Sequence, residues 1–200
     1  MNEALRIESL TGPAIRPYLD AVARLRIAVF RDFPYLYDGS LDYETDYLAA
    51  YSACAESLFV LVYAGSEIVG ASTGMPLAAE TAALRQPFQA RGLAVESVFY
   101  FGESVLLRSY RGRGLGRRFF DAREGYARQL GRFTHTAFCA VERPMDHPLR
   151  PADHRPLDAF WAQRGYHRDR QLQARMRWKD VDQAVATDKT MVFWLRTLAA

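Results

Sequence analysis

The stretch from Ser97 to Leu130 constrains this chain more than any other part of it. Ser97 to Leu107, with aromatics at Phe99, Tyr100 and Phe101, reads as a long strand. Arg111-Gly112-Arg113-Gly114-Leu115-Gly116 follows it. From about Gly114 to Leu130, Leu115, Phe119, Ala122, Tyr126 and Leu130 recur on one face of a helix. A helix N-terminus has unpaired N–H groups and a partial positive charge, so it attracts phosphate. Glycines at 112, 114 and 116 let the backbone approach an anion without Cβ atoms in the way. Arg111, Arg113, Arg117 and Arg118 add positive charge at the same point. A dinucleotide fingerprint is excluded because Arg117 stands where its third glycine belongs, and a P-loop is excluded by the missing Gly-Lys-Ser/Thr ending.

The rest of the chain supplies a mixed order of elements. Ala4 to Leu10 alternates as a short first strand, and Gly12-Pro13 ends it. Ile15 to Phe30 and about Asp42 to Ala53 read as amphipathic helices, joined by a loop carrying Phe33-Pro34 and Asp38-Gly39-Ser40. Leu58 to Tyr63, Gly65-Ser66 and Ile68 to Thr73 give a β-hairpin. Ala78 to Gly92 is mildly helical and reads as an insertion, either a lid or a surface helix. Phe133 to Val141 is a further strand, and Arg143 to Pro156 a proline-rich loop with His147 and His154. Leu157 to Arg164 is a short helix stopped by Gly165. Gln171 to Trp178 and Thr190 to Leu198 are the final strands. Hairpin and strand–helix–strand units in one chain predict an α/β (α+β) class, with a mixed central sheet of six to seven strands flanked by helices. The 200 residues, without a linker or repeat, are expected to form a single domain, 1–200.

Half the residues are hydrophobic and the net charge is +3, too small by itself to suggest nucleic acid or a membrane as partner. Of 26 basic residues only Lys179 and Lys189 are lysines, so only local arginine clusters bear on anion binding. Cys54 and Cys139 lie far apart and show no metal-ligand spacing, so no metal is expected and reduced thiols fit better than a disulfide. Met1 to Thr11 lacks an apolar signal core, and no run reaches the roughly 20 apolar residues of a membrane helix. The expected location is the cytoplasm.

Arg-x-x-Gly-x-Gly after a strand resembles the acetyl-CoA motif of the GNAT superfamily of N-acetyltransferases. Gly102 to Tyr110 looks like that family's fourth strand entering the motif, and Asp158 to Tyr166 like its late conserved segment. The resemblance extends over nearly the whole chain. It implies an acetyl-CoA-dependent N-acetyltransferase acting on a primary amine of a small molecule or peptide, by direct attack in a ternary complex. It further implies that backbone groups at Val105, Leu106 and Leu107 hold the pantetheine arm. Arg111, Gly112, Arg113, Gly114, Leu115, Gly116 and Arg117 would hold the pyrophosphate. Glu103 is the first candidate base, with a pKa raised in an apolar strand, and Glu96 the second. Many members carry a tyrosine four residues before the glycine of the late segment, where Trp161 stands here, and the indole N–H is too weak an acid to donate its proton usefully. Tyr166 and Tyr100 are the substitute acid candidates. The acceptor would meet Tyr35, Tyr37 and His147. A homodimer, an acyl donor other than acetyl-CoA, a CoA-binding domain without transfer, and a nucleic-acid module using the Arg-Gly segment all remain open at this point.

Overall fold

The computed structural model describes residues 4–198. Its strands are β1 (Leu5–Thr11), β2 (Leu58–Ala64), β3 (Glu67–Pro76), β4 (Val98–Tyr100), β5 (Ser104–Leu106), β6 (His135–Val141), β7 (His167–Trp178) and β8 (Thr187–Thr197). The helices are α1 (Leu19–Phe30), α2 (Leu41–Ala53), α3 (Ala82–Ala90), α4 (Leu115–Gln129) and α5 (Asp158–Gln163). The sheet runs β1-β2-β3-β4-β6-β8-β7, with β5 pairing β3 off this path. Neighbours are antiparallel except β4 and β6, which are parallel. The sheet is mixed, as expected, but has eight strands.

The uninterrupted apolar run of β2 follows from burial on both faces. Val60 and Val62 pack with Phe99, Phe119 and Phe120 on the side covered by α4. Phe59, Leu61 and Tyr63 pack with Val22, Leu48 and Tyr51 on the side covered by α1 and α2. Together these layers hold the sheet rigid around its centre, where β4 and β5 lie.

Three expectations change. The first helix begins at Leu19, because Gly12–Tyr18 is a 3-10 turn containing Pro13 and Pro17, and a proline ring obstructs the preceding turn of an α-helix. The segment expected as a lid or surface helix is α3, whose Leu84 and Phe88 are buried against Leu172 and Phe193 of β7 and β8. It is part of the core. The last strands are longer than their alternation suggested, because the β7–β8 register shifts between Asp169 and Gln173 and a bulge breaks the two-residue period.

Candidate active site

The long strand read at Ser97–Leu107 is two strands with a break at Phe101–Glu103. Gly102 sits beside the Tyr51 hydroxyl, and a Cβ there would also stand 2.6 Å from Thr73 Oγ1, so only glycine fits. Before the break, β4 lies between β3 and β6. Phe101 N–H donates to Ala137 O at 2.8 Å, the last bond toward β6. After the break, β5 pairs with β3 alone, while Phe138–Val141 of β6 pair with β8 alone. A gap opens between β5 and the far half of β6.

Which main-chain groups face this gap follows from register. Thr73 N–H donates to Glu103 O and Leu107 N–H donates to Val69 O, with Ala71 opposite Val105 between them. Residues 103, 105 and 107 therefore aim their backbone at β3, and Ser104 and Leu106 aim theirs at the gap. The side chain of Arg111, donating through Nε to Leu106 O at 3.1 Å, approaches from that open side. Of the three residues expected to hold a pantetheine arm, only Leu106 is free to do so. Val105 and Leu107 are engaged with β3, and Ser104 joins Leu106.

Arg123 of α4 fixes the break. Its guanidinium is buried and donates to Thr73 O, Glu103 O and Ser104 Oγ, while lying over the rings of Phe101 and Phe120. Burial is the main reason its pKa falls to about 10, partly offset by nearby Tyr166 and Glu103.

The glycine loop forms an open cradle at the start of α4. Gly112 and Gly114 both have φ of +76°, a left-handed conformation in which other side chains are strained. A Cβ at either would meet nothing within 4 Å, so the space is open. Among the described residues, the N–H groups of Gly112, Arg113, Gly114, Leu115 and Gly116 have no protein acceptor. The Arg117 N–H is already bonded to Gly114 O at 3.1 Å, which removes it from the expected set. Leu115 is buried in the core and anchors the loop. Arg111 reaches Asp32 at 3.6 Å and Arg113 reaches Ser109 O at 3.2 Å, while Arg117 and Arg118 are exposed at the helix start.

On the α1–α2 side of the sheet a cavity of about 540 Å³ meets the gap. Gly102 and Glu103 line it from the break, and Cys139 lines it from β6. Tyr35 and Tyr37 line it as expected, joined by Phe30, Tyr43, Tyr47, Tyr100 and Trp178. Burial is the chief cause that raises the hydroxyl pKa of Tyr35, Tyr37, Tyr47 and Tyr100, so these groups stay protonated and act as neutral donors. Burial likewise pushes the Cys139 thiol up to about 12, and its sulfur lies 3.1 Å from Tyr100 Oη, so it is no nucleophile near neutral pH.

Glu103 lines this cavity and is 6% exposed, but its setting is not the apolar one expected. Arg26 of α1 pairs with both Glu103 and Glu44 of α2. Sequence reasoning missed Arg26 and Glu44. A signal existed for the first: Arg26 follows Val22 and Ala23 at helical spacing on the buried face, and a charge on an apolar stripe demands a partner. Glu96 is exposed ahead of β4, outside the cavity lining.

Tyr166 and His147 do not reach the cavity lining. Tyr166 is 1% exposed, packs on Phe138 and Phe120, and its hydroxyl bonds to Thr136 and Glu124. Phe138 and Cys139 are adjacent in β6 and point to opposite faces, so Tyr166 is on the far side of the sheet from the cavity. That corrects its assignment as the acid. Trp161 packs in the same aromatic cluster, 5.0 Å from Phe138 and 5.1 Å from Trp194. His147 lies against Phe33 at 5.8 Å, with Nδ1 accepting from Leu149 N–H.

The Tyr35 loop is held by a buried clamp that sequence reasoning also missed. Arg143 donates to Asp180 through two nitrogens at 2.6 and 2.9 Å, and to Pro34 O and Tyr35 O at 2.8 and 2.7 Å. Lys189 reaches the same Asp180 at 3.1 Å. No helix among the described residues is long and apolar enough to cross a membrane.

No family model and no curated protein matches this chain. Solved structures do match its fold. A protein from Desulfovibrio desulfuricans assigned to the GNAT family is 14% identical, with a TM-score of 0.57 over 98% of this chain and 100% of that one. An N-acetyltransferase from Staphylococcus aureus Mu50 is 9% identical, with a TM-score of 0.61 over 98% and 99%. A Salmonella typhimurium protein solved with its cofactor acetyl-CoA is 10% identical, with a TM-score of 0.59 over 98% and 95%. Nearly the whole of each chain is covered in these comparisons, so this chain has the fold of GNAT-family acetyltransferase structures.

Proposed function

We propose that this chain is an acetyl-CoA-dependent N-acetyltransferase acting on a primary amine of a small molecule or peptide. The observation that carries this reading is the meeting of two features at one break. Gly102 and Glu103, at the start of β5, line the aromatic cavity, and the chain leaving the other end of β5 runs into the loop whose residues 112–116 have open amides. Five free N–H groups at a helix N-terminus suit a pyrophosphate, and the gap-facing amides of Ser104 and Leu106 suit an extended amide-bearing arm. The CoA thioester supplies an activated acyl group.

This chain's residues position the acceptor and move protons. The amine nitrogen bonds to the thioester carbonyl carbon as the C–S bond breaks. One amine proton passes to Glu103, directly or through water, since the hydroxyls in the cavity are neutral donors. The Trp161 indole N–H is too weak an acid to protonate a thiolate, so the thiolate takes its proton from water. Positioning and carbonyl polarisation supply most of the rate gain.

Trp161 also favours a second reading, a CoA-binding domain without transfer. Two measurements separate them. Acetyl-CoA raises the melting temperature under either reading, whereas amine-dependent thiol release from acetyl-CoA occurs only with transfer. No thermal shift at millimolar acetyl-CoA removes both.

A further inference from the structure

The cavity has an uneven charge balance at its floor. Glu44 and Glu103 have side chains 0% and 2% exposed, and the single guanidinium of Arg26 stands between them. Arg26 Nε donates to Glu44 Oε2, and Arg26 Nη1 meets Glu103 Oε2. Among the described residues, Glu44 Oε1 and Glu103 Oε1 are buried with no hydrogen-bond donor, both on residues that line the cavity. Arg26 is the one cation in contact with both carboxylates, buried Arg123 acts on Glu103 from the far side, and each carboxylate keeps an oxygen open to a further donor.

The walls are suited to a cation. Arg26 already lies over the rings of Phe30 and Tyr47, 5.0 and 4.5 Å from their centroids. Tyr37, Tyr43 and Trp178 add further aromatic side chains to the lining of the same cavity. Resting on the transferase reading above, we infer that the acceptor is a primary amine on an aromatic or bulky apolar body, with its ammonium at Glu44 Oε1 and Glu103 Oε1 and its body among the tyrosines.

The same features disfavour other amines. An α-amino acid carries its carboxylate on the carbon next to its ammonium and would bring it beside two buried carboxylates, while Arg177 and Lys179 of the lining are already paired with Asp188 and Asp38 and Arg175 alone is left to meet it. A polyamine needs a second anion for its distal ammonium, and Asp38, the remaining acid of the lining, is already bonded to Arg31 and Lys179. The discrimination is as much by repulsion and unpaired charge as by attraction.

Thiol release from acetyl-CoA is measured with phenethylamine, tryptamine, spermidine, free lysine and a lysine-bearing peptide. The aryl amines are expected to exceed the others in kcat/KM by at least tenfold. Glu44→Gln raises KM for phenethylamine about tenfold and leaves KM for acetyl-CoA unchanged, a split that general damage to the fold does not produce. Tyr43→Ala, at a side chain 55% exposed and safe for folding, raises KM for phenethylamine but not for methylamine. Equal or reversed preference, with acetyl-CoA still bound, overturns the acceptor assignment and leaves the transferase reading intact. Absence of any shift with acetyl-CoA overturns the reading beneath it. If no amine releases thiol, calorimetry with phenethylamine decides: binding weakened by Glu44→Gln supports the assignment, and no binding overturns it.

Discussion

Two substitutions at Gly114 separate the strain of the glycine loop from its electrostatic role. Gly114 sits at φ +76° ahead of α4, and a Cβ there touches nothing within 4 Å. Alanine therefore clashes with no neighbour and pays only the left-handed conformation, about 1–2 kcal/mol. Aspartate tolerates that conformation better than alanine and adds a favourable charge at the helix N-terminus, about 0.3–1 kcal/mol. Gly114→Asp is thus expected to be at least as stable as Gly114→Ala. Ligand affinity runs the other way. A carboxylate roughly 5 Å from a phosphate charge costs about 1–3 kcal/mol for effective dielectrics between 80 and 20, or roughly 5- to 150-fold in Kd. Urea denaturation gives the stability order, and calorimetric titration with acetyl-CoA at fixed salt gives Kd. Because both variants carry the strain, the Asp-to-Ala ratio isolates the charge. Equal Kd values for the two variants would show that the pyrophosphate does not sit on these amides.

Other perturbations test the supports of the site. Asp180→Asn leaves Arg143 and Lys189 without their buried carboxylate, at a cost of about 3–5 kcal/mol by urea denaturation. Burial pushes the Asp180 pKa up, but the Arg143 and Lys189 bonds outweigh it and hold it below the ordinary value. Its stabilisation is therefore present above about pH 4 and lost as pH falls through the folded value, so the difference from wild type should narrow in acid; a gap unchanged down to pH 2 contradicts this. Glu80 is the opposite case: burial raises its carboxyl despite bonds from Thr81 N–H and Tyr51 Oη. The folded state then binds its proton more tightly than the unfolded, so this group lowers stability as pH rises above about 4.3. Glu80→Gln should be more stable than wild type at pH 8 and lose that advantage near pH 4, and the reverse pH trend excludes the assignment. Arg123→Met removes one of the two donors from the carbonyls of Thr73 and Glu103, which keep Gly102 N–H and Thr73 N–H, at about 1–3 kcal/mol for the pair. It should also weaken acetyl-CoA binding by releasing the break; unchanged stability and Kd would show that the break holds itself.

Much of this protein was readable along the chain. The hairpin showed in Leu58–Tyr63 and Ile68–Thr73 around Gly65, the helix after the cradle showed in Leu115, Phe119, Ala122 and Tyr126, and the cradle itself in the glycines between strand and helix. Each is a signal within one turn or one strand, where side-chain period and backbone freedom act locally. What escaped depends on register and on partners distant in sequence. The alternation of Ser97–Leu107 gives no sign that β6 leaves at Ala137, because that departure lies in another strand, and it alone turns Ser104 and Leu106 toward the gap and Val105 away. Tyr166 could be read along the chain either as a core aromatic or as an acid, and only its packing on Phe138 put it on the other face of the sheet from Cys139. Arg26, Glu44 and Glu103 come from α1, α2 and the break, and no local spacing relates them. The sequence by itself determined most of the elements and the open glycine loop at a helix start; only the tertiary structure decided which carboxylates share one guanidinium, because ion pairing depends on distances that folding alone creates.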